Sequence, residues 1–147
     1  MAVGIARLSV PFEGRLIKPD IRNVYFGEKA IGFEFYVTSN GYRGTYLSCV
    51  EHIAFKVDGK EVPEDKIVFV LNGKRFLLNQ LSDLFAEYWF TLDYATIIVY
   101  QDGGIAPGEH TVEYSIRTRI PFSGYFGEYE QTSNTVVRTL TLKEGRE

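Results

Sequence analysis

Pairs of Asn or Asp followed by Gly recur along the chain, and they constrain its fold more than any other feature. Such pairs reach the positive φ angles of tight hairpin turns at little cost. Four of them are Asn40-Gly41, Asp58-Gly59, Asn72-Gly73 and Asp102-Gly103. Between them apolar residues alternate with period two, the period of a strand with one buried face. The sequence therefore predicts short strands joined by tight turns.

Individual strands can be predicted from these alternating runs. The longest run, residues 110–120, has one apolar face and one polar or charged face. Residues 135–142 also alternate, but their apolar side chains are divided between both faces, so the inward side stays open. Further strands are predicted at residues 31–37, 53–57, 67–71, 74–78 and 95–100.

One segment has helical spacing instead. Leu81, Leu84 and Phe85 recur three and four residues apart, and Asn79 before them is a residue type that caps helices. A single short helix or helical turn is predicted there. About eight short strands with one short helix predict an all-β fold, an antiparallel β-sandwich.

The N-terminal segment differs from the rest of the chain. We interpret residues 1–20 as an extended arm and residues 21–147 as a single β-sandwich domain. The apolar residues of the arm are interrupted by Arg7 and Pro11 and follow no basic start, which argues against a signal peptide. The apolar runs are far shorter than the roughly 20 residues that a membrane helix needs, so no membrane association is expected.

Charge and cysteine content exclude several classes of function. The net charge of −3 and the pI near 5.5 argue against binding to nucleic acid or to an anionic membrane, both of which require a basic field. The chain has one cysteine, Cys49, so it forms no internal disulfide and no multi-cysteine zinc site. A reducing compartment, the cytoplasm, is the expected location.

The residue patterns do not point to a catalytic or metal site in this chain. His52 and His110 lie in or beside predicted strands with no acid at a ligand-like spacing, and we interpret both as structural. Cys49 and His52 would point to opposite faces of a strand, which argues against a catalytic dyad. We interpret Glu128 and Glu130 as solvated loop charges rather than an acid–base pair.

Two segments are too aromatic for simple connections. Residues 121–129 carry four aromatic residues and two glycines, and residues 41–46 have a similar composition. Aromatic residues on a loop are typical of binding anchors, although they could also close the open end of the sandwich. Together with the apolar arm, these segments favour a subunit of a hetero-complex. The predicted contact residues are Phe122, Tyr125, Phe126, Tyr129, Tyr42 and Arg43.

Short motifs along the chain resemble one bacterial family. They are Arg22-Asn23-Val24, Ile31-Gly32-Phe33-Glu34-Phe35, Tyr42-Arg43-Gly44, Leu47-Ser48, Val50-Glu51, Val57-Asp58-Gly59, Pro107-Gly108-Glu109-His110 and Arg119-Ile120-Pro121. Their order and spacing are similar to those of the small (beta) subunit of C-glycoside deglycosidases, also described as a domain of unknown function. The resemblance extends from Arg22 to the predicted strand at 135–142.

The resemblance implies a non-catalytic accessory subunit with a β-sandwich fold and no cofactor of its own. Its partner would be a larger alpha subunit with a sugar-isomerase-like barrel, which holds a divalent metal, typically manganese, and the acid–base residues. The complex would cleave the C–C bond between a 3-keto sugar and an aromatic aglycone, because a ketone at C3 acidifies the proton on C2. The aromatic residues of segment 121–129 would then contact the partner or line the aglycone entrance.

Two alternatives remain open from the residues. A stand-alone module that binds carbohydrates or flavonoids would use Tyr42, Tyr46 and Tyr125 to stack on flat rings. A self-sufficient lyase or isomerase would use His52 or His110.

Overall fold

The computed structural model describes residues 5–6, 16–40, 44–119 and 131–143, with residues 5–6 and 131–132 in their backbone alone. Eight of the strands in these residues have at least four residues each, as the sequence predicts, and four are two-residue strands. The bounds are β1 Ile5–Ala6, β2 Ile17–Phe26, β3 Lys29–Val37, β4 Thr45–Tyr46, β5 Val50–Val57, β6 Lys60–Glu61, β7 Ile67–Leu71, β8 Lys74–Leu77, β9 Tyr88–Trp89, β10 Ala95–Tyr100, β11 Gly108–Arg119 and β12 Gln131–Leu142.

The strands form two five-stranded sheets and one small two-stranded sheet. The first sheet has the order β1-β12-β11-β5-β6, the second has the order β2-β3-β10-β7-β8, and β4 pairs with β9. Every pairing is antiparallel except that of β1 with β12. The prediction of an all-β antiparallel sandwich is confirmed.

The core lies between the inner faces of the two large sheets. Phe35 of the second sheet meets Phe55 of the first edge-on, with ring centroids 5.3 Å apart. Phe55 in turn stacks on Tyr114 of β11, also at 5.3 Å. All three side chains are at most 1% exposed. Apolar residues therefore alternate with period two in the sequence because each strand turns one face toward this shared core.

The Asx-Gly pairs have two different roles. Asp58-Gly59 and Asn72-Gly73 take positive φ at both positions and close the β5–β6 and β7–β8 hairpins, as predicted. At Asp102-Gly103 the positive φ falls on the glycine and the chain crosses from β10 in the second sheet to β11 in the first. Asn40 is buried, and β3 does not pair with the following β4, so the hairpin expected there is wrong.

The structure gives the inward face of β12, which the sequence left open, and the residue at which β2 begins. On β12 the inward residues are Asn134, Val136, Leu140 and Leu142, whereas Val137 is 60% exposed. β2 begins at Ile17, four residues before the boundary drawn between arm and sandwich, and Leu16 and Ile17 are both buried in the core.

The predicted helical segment is a 3₁₀-helix, Leu78–Asp83, and further 3₁₀ turns occur at Leu47–Cys49 and Glu64–Lys66. The Leu78–Asp83 helix begins one residue before Asn79, so the prediction that Asn79 is its N-cap is wrong. The capping position is Leu77, whose N–H donates to Oε1 of Gln80 at 2.8 Å. Burial of Leu78 and Leu81 against the core holds the turn in place. Among the described residues no helix is long and apolar enough to cross a membrane.

Candidate functional site

The six contact residues predicted from the sequence, Phe122, Tyr125, Phe126, Tyr129, Tyr42 and Arg43, all lie outside the described residues. The residues that flank them are described. Arg119 of β11 and Gln131 of β12 are direct partners across the two strands. Asn40 and Gly44 flank the other segment. The geometry of these flanking residues therefore defines the candidate site.

A buried polar network joins one of these flanking residues, Asn40, to β11 and β12. Asn40 donates from Nδ2 to Oδ1 of Asn134 at 2.9 Å, and Thr118 donates its hydroxyl to Oδ1 of Asn40 at 2.6 Å. The Tyr114 hydroxyl donates to the Thr38 carbonyl at 2.9 Å. Buried groups that lose such partners cost about 1–3 kcal/mol each, so the network fixes the end of β3 against β11 and β12. Asn40 is thus held in place next to the segment that contains Tyr42 and Arg43 in the sequence.

Three aromatic side chains cluster on the small β4–β9 sheet. Tyr46 meets Tyr88 edge-to-face at 5.0 Å between ring centroids, and Tyr88 meets Phe90 at 4.8 Å. Tyr46 is 44% exposed and Phe90 is 59% exposed. We call Tyr46, Tyr88 and Phe90 the aromatic end. Exposed aromatic groups held in a fixed geometry are the typical anchors of protein–protein and carbohydrate contacts.

The aromatic end is supported from below by a buried tryptophan. Trp89 lies between Tyr88 and Phe90, is fully buried, and packs edge-on against Phe69 at 5.2 Å. Its Nε1–H donates to the Asp93 carbonyl at 2.9 Å. Because successive side chains of a strand alternate in direction, burial of Trp89 directs its two neighbours away from the core.

A glycine allows this close packing. A Cβ at Gly44 would lie 2.5 Å from Cε2 of Tyr88 and 2.6 Å from the Trp89 carbonyl oxygen. Any side chain there would push Tyr88 or the β9 backbone away. Gly44 directly precedes β4 and directly follows Tyr42 and Arg43. The predicted contact residues Tyr42 and Arg43 are therefore close in sequence to Tyr46 of the aromatic end.

Tyr46 is one of the stacking residues predicted from the sequence, whereas Tyr88 and Phe90 are not. The sequence signal for both is the run Tyr88-Trp89-Phe90, three consecutive aromatic residues. In the structure the same segment also exposes Phe85 and Leu92, at 70% and 83%. An apolar segment that buries one aromatic residue and exposes its neighbours indicates a contact surface.

The two histidines have different environments. His52 is exposed, whereas His110 is buried, with Nδ1 2.7 Å from Oδ2 of Asp58 and Nε2 2.6 Å from the Ala106 carbonyl oxygen. No carboxylate stands at a ligand-like spacing from His110 in the sequence, because Asp58 lies on a hairpin 52 positions away. The carbonyl only accepts, so Nε2 donates to it, and the carboxylate favours a proton on Nδ1.

Both ring nitrogens of His110 are therefore occupied. Burial lowers the pKa of His110, but the bonds to Ala106 and Asp58 raise it, and the pKa lies above the ordinary 6.5. The bond from His110 and that from the Thr111 N–H lower the pKa of Asp58 against the opposing effect of burial. His110 therefore holds β11 to the β5–β6 hairpin through its hydrogen bond with Asp58.

Cys49 lies within the described residues, whereas Glu128 and Glu130 lie outside them. Cys49 is buried, as predicted, although it lies in the Leu47–Cys49 turn rather than on a strand. Within the described ranges no three residues of the types His, Cys, Asp and Glu are grouped for a metal ion. The reducing cytoplasmic location, inferred from the single cysteine, stays a prediction.

A groove of about 450 Å³ lies beside β2 and the end of β12. Its lining includes Lys18, Arg22, Tyr36 and Lys143. The Tyr36 hydroxyl donates to Oε2 of Glu34 at 2.5 Å; burial, that bond and the Glu34 charge raise the pKa of Tyr36 to about 12. Tyr36 is thus a neutral hydrogen-bonding phenol near pH 7, and the groove is polar with a cationic lining.

Comparison with known proteins gives consistent matches. A family model described as C-glycoside deglycosidase beta subunit matches residues 12–122. A curated protein of that name from Eubacterium cellulosolvens is 33% identical over 94 residues, which are 63% of this chain and 64% of the relative. One from Arthrobacter globiformis is 33% identical over 85 residues, 55% of this chain and 62% of the relative. One from Microbacterium trichothecenolyticum is 30% identical over 81 residues, 55% of this chain and 61% of the relative. The chain thus spans less than two thirds of the length of the curated relatives it matches.

Proposed function

This chain belongs to the C-glycoside deglycosidase beta subunit family, and from that premise we propose that it is the accessory subunit of a hetero-oligomeric C-glycoside deglycosidase. The observation that carries the proposal is the aromatic end, a supported set of exposed rings that follows the Tyr42-Arg43 segment in the sequence. A subunit that contributes contacts rather than chemistry requires such anchors. The relatives carry the same subunit name.

In this proposal the chemistry belongs to a larger alpha subunit with a sugar-isomerase-like barrel. Cleavage of the C–C bond between a 3-keto sugar and an aromatic aglycone needs a base, an acid and a group that stabilises the enolate, here a divalent metal, typically manganese. The described residues of this chain offer no set of ligands for that metal. His110, with both ring nitrogens occupied, is not placed to act as the base.

The aromatic end suits the contact role because it is rigid before binding. The buried Trp89 and the Asn72 side chain, which donates to the Tyr88 carbonyl at 3.0 Å, hold β9 in place. Anchors that are already ordered lose little side-chain entropy on association. We propose that Tyr46 and Phe90, together with the predicted residues of segments 41–43 and 121–129, contact the alpha subunit or border its aglycone entrance.

A second candidate function is a stand-alone module that binds a carbohydrate or a flavonoid. The observation that favours it is the exposure of the Tyr46 and Phe90 rings, which could stack on a sugar or on a flat aglycone. The two functions differ in whether the isolated chain binds a small ligand.

Co-expression with the cognate alpha subunit, followed by size-exclusion chromatography with light scattering, tests the proposal. We expect a complex of defined mass that cleaves a 3-keto C-glycoside. Phe90→Ala should weaken the complex about tenfold, while Val137→Ala, which removes an exposed apolar side chain from β12 of the first sheet, should leave it intact. Separate elution of the two wild-type chains would contradict the proposal. Saturable glycan or flavonoid binding by the isolated chain would then favour the binding module.

A further inference from the structure

The outer faces of the two large sheets differ in chemistry. On the first sheet the outward residues of β11 are Thr111, Glu113, Ser115 and Arg117, and they are matched by polar neighbours. Ser115 bonds to Thr135 at 3.1 Å, Glu113 lies 3.8 Å from Lys56, and Arg117 lies 3.7 Å from Glu51. This is the solvated face that an antiparallel sheet usually presents.

The second sheet has apolar residues on its outer face. On β10 the residues Ala95, Ile97 and Val99 point into the core, so Thr96, Ile98 and Tyr100 point outward. Ile98 is 6% exposed although it is not part of the core cluster. The strand register places further apolar side chains around it. We call Val24, Val68, Val70, Leu77, Ile98 and Tyr100 the outer apolar face.

The rim of this face is positively charged. Arg22 of β2 lies at one edge and Arg75 of β8 at the other, and no ion pair to Arg75 is found within the described ranges. Glu34, the acidic residue on the face, is held by Tyr36 and lies 3.6 Å from Arg22. A partner that covers this face therefore needs an apolar centre and an acidic rim.

The segment that carries Phe90 is linked to the outer side of the second sheet by Lys18. Tyr36 lies opposite Thr96 on that outer side, and its ring centroid is 5.4 Å from Nζ of Lys18. The same ammonium group is 5.6 Å from the ring of Tyr94. Tyr94 directly follows the turn in which the Asp93 N–H donates to the Phe90 carbonyl at 3.0 Å. The outer face of the second sheet is therefore connected, through Lys18 and Tyr94, to the segment of the aromatic end.

We infer that the alpha subunit docks on the outer apolar face of the second sheet, through a surface with an apolar centre and an acidic rim. The inference rests on the proposed function and extends it, because the aromatic end becomes one margin of a larger interface. The first sheet, with its hydrogen-bonded and ion-paired outer face, stays exposed to solvent in the complex.

Val70→Lys tests this surface, and Val137→Lys is its matched control because Val137 occupies an outward position on the first sheet. Affinity for the purified alpha subunit is measured by titration calorimetry. Val70→Lys should weaken binding about tenfold or more, because its ammonium group would lose water in the interface. Val137→Lys should bind as wild type does. Equal affinity of both variants would overturn the docking surface but leave the subunit function standing.

Charge reversal gives a second test that is independent of packing. Arg75→Glu should weaken binding several-fold at low salt, and the effect should shrink as salt is added. Lys60→Glu, an exposed reversal on β6 of the first sheet, is the control. If Arg75→Glu binds as wild type does, the acidic rim is wrong. If wild type does not bind the alpha subunit at all, the proposed function fails as well. If Val70→Lys alters only self-association, the face joins two copies of this chain.

Discussion

At the scale of single residues, His110 and Asp58 link the stability of the fold to pH. The pKa of His110 is raised in the folded state, so its contribution is complete below the ordinary value of 6.5 and is lost as pH rises through the folded pKa. The pKa of Asp58 is lowered, so its contribution is lost only as pH falls through that lowered value. The pair is therefore most stabilising between the two.

We expect the free energy of unfolding to decrease as pH rises above about 6.5, with the His110 bonds as the cause. His110→Gln should lower stability by about 1–2 kcal/mol at pH 6 and flatten this decrease. His52→Gln, a change of the exposed histidine on the neighbouring strand, should lower stability by less than about 0.5 kcal/mol at pH 6. Urea unfolding from pH 5 to pH 9 measures both. An unaltered slope in His110→Gln would contradict the assignment.

Asn40 is the second residue with a large expected effect. Its replacement by Ala leaves the Thr118 hydroxyl and the Asn134 side chain without their Asn40 partner, at a cost of about 2–3 kcal/mol. Asn79→Ala, at an exposed position, should change stability by less than about 0.5 kcal/mol. Urea unfolding decides both points. A loss of about 1 kcal/mol in Asn79→Ala would restore Asn79 as a helix cap.

At the scale of elements, Gly44 controls the β4–β9 sheet. Gly44→Ala places a methyl group where the Tyr88 ring and the Trp89 carbonyl lie, so β9 has to shift. We expect a loss of about 1–3 kcal/mol and weaker binding to the alpha subunit. Gly59→Ala, whose added methyl would meet no atom within 4 Å, tests the effect of positive φ alone and should not alter binding. Thermal unfolding and the titration of the complex measure these effects.

Local chemistry explains which elements the sequence can predict. Asp58-Gly59 and Asn72-Gly73 form hairpins because both residues of each pair take positive φ and the residues on either side pair directly across the turn. At Asn40 the same residue type is drawn into a buried network whose partners come from β11 and β12. The helical spacing around Leu81 correctly marks a turn, but the cap is set by Gln80 reaching back to Leu77. Pairings between distant strands leave no local signal.

In the candidate site, too, contacts between residues far apart in the sequence leave no local signal. The contact role of the two aromatic segments stays a prediction, whereas Gly44 within the second of them has a clear structural reason. The aromatic end could not be predicted, because it depends on the pairing of β4 with β9, whose partner residues lie 42 or more positions apart. The His110–Asp58 contact joins residues 52 positions apart. The outer apolar face requires the strand order of the second sheet, which periodicity within one strand does not contain.

At the scale of the whole molecule, docking on the second sheet should stabilise this chain as a unit. A partner that binds only the folded state, at a free concentration 100 times its Kd, adds about 2.7 kcal/mol to the free energy of unfolding. The slowest-exchanging amides of β7, β10 and β11 exchange only when the whole sandwich unfolds. Binding of the partner makes that unfolding rarer, so hydrogen exchange should slow to the same extent in all three strands.

Hydrogen exchange with mass spectrometry measures this in the complex, because peptides of the two chains are distinguished by mass. Adding the alpha subunit should slow exchange of these strands about a hundredfold in wild type and in Val137→Lys. In Val70→Lys at the same concentrations a tenfold loss of affinity should reduce the slowing from about a hundredfold to about tenfold. Equal slowing in Val70→Lys and in wild type would mean that the interface excludes the outer face of the second sheet.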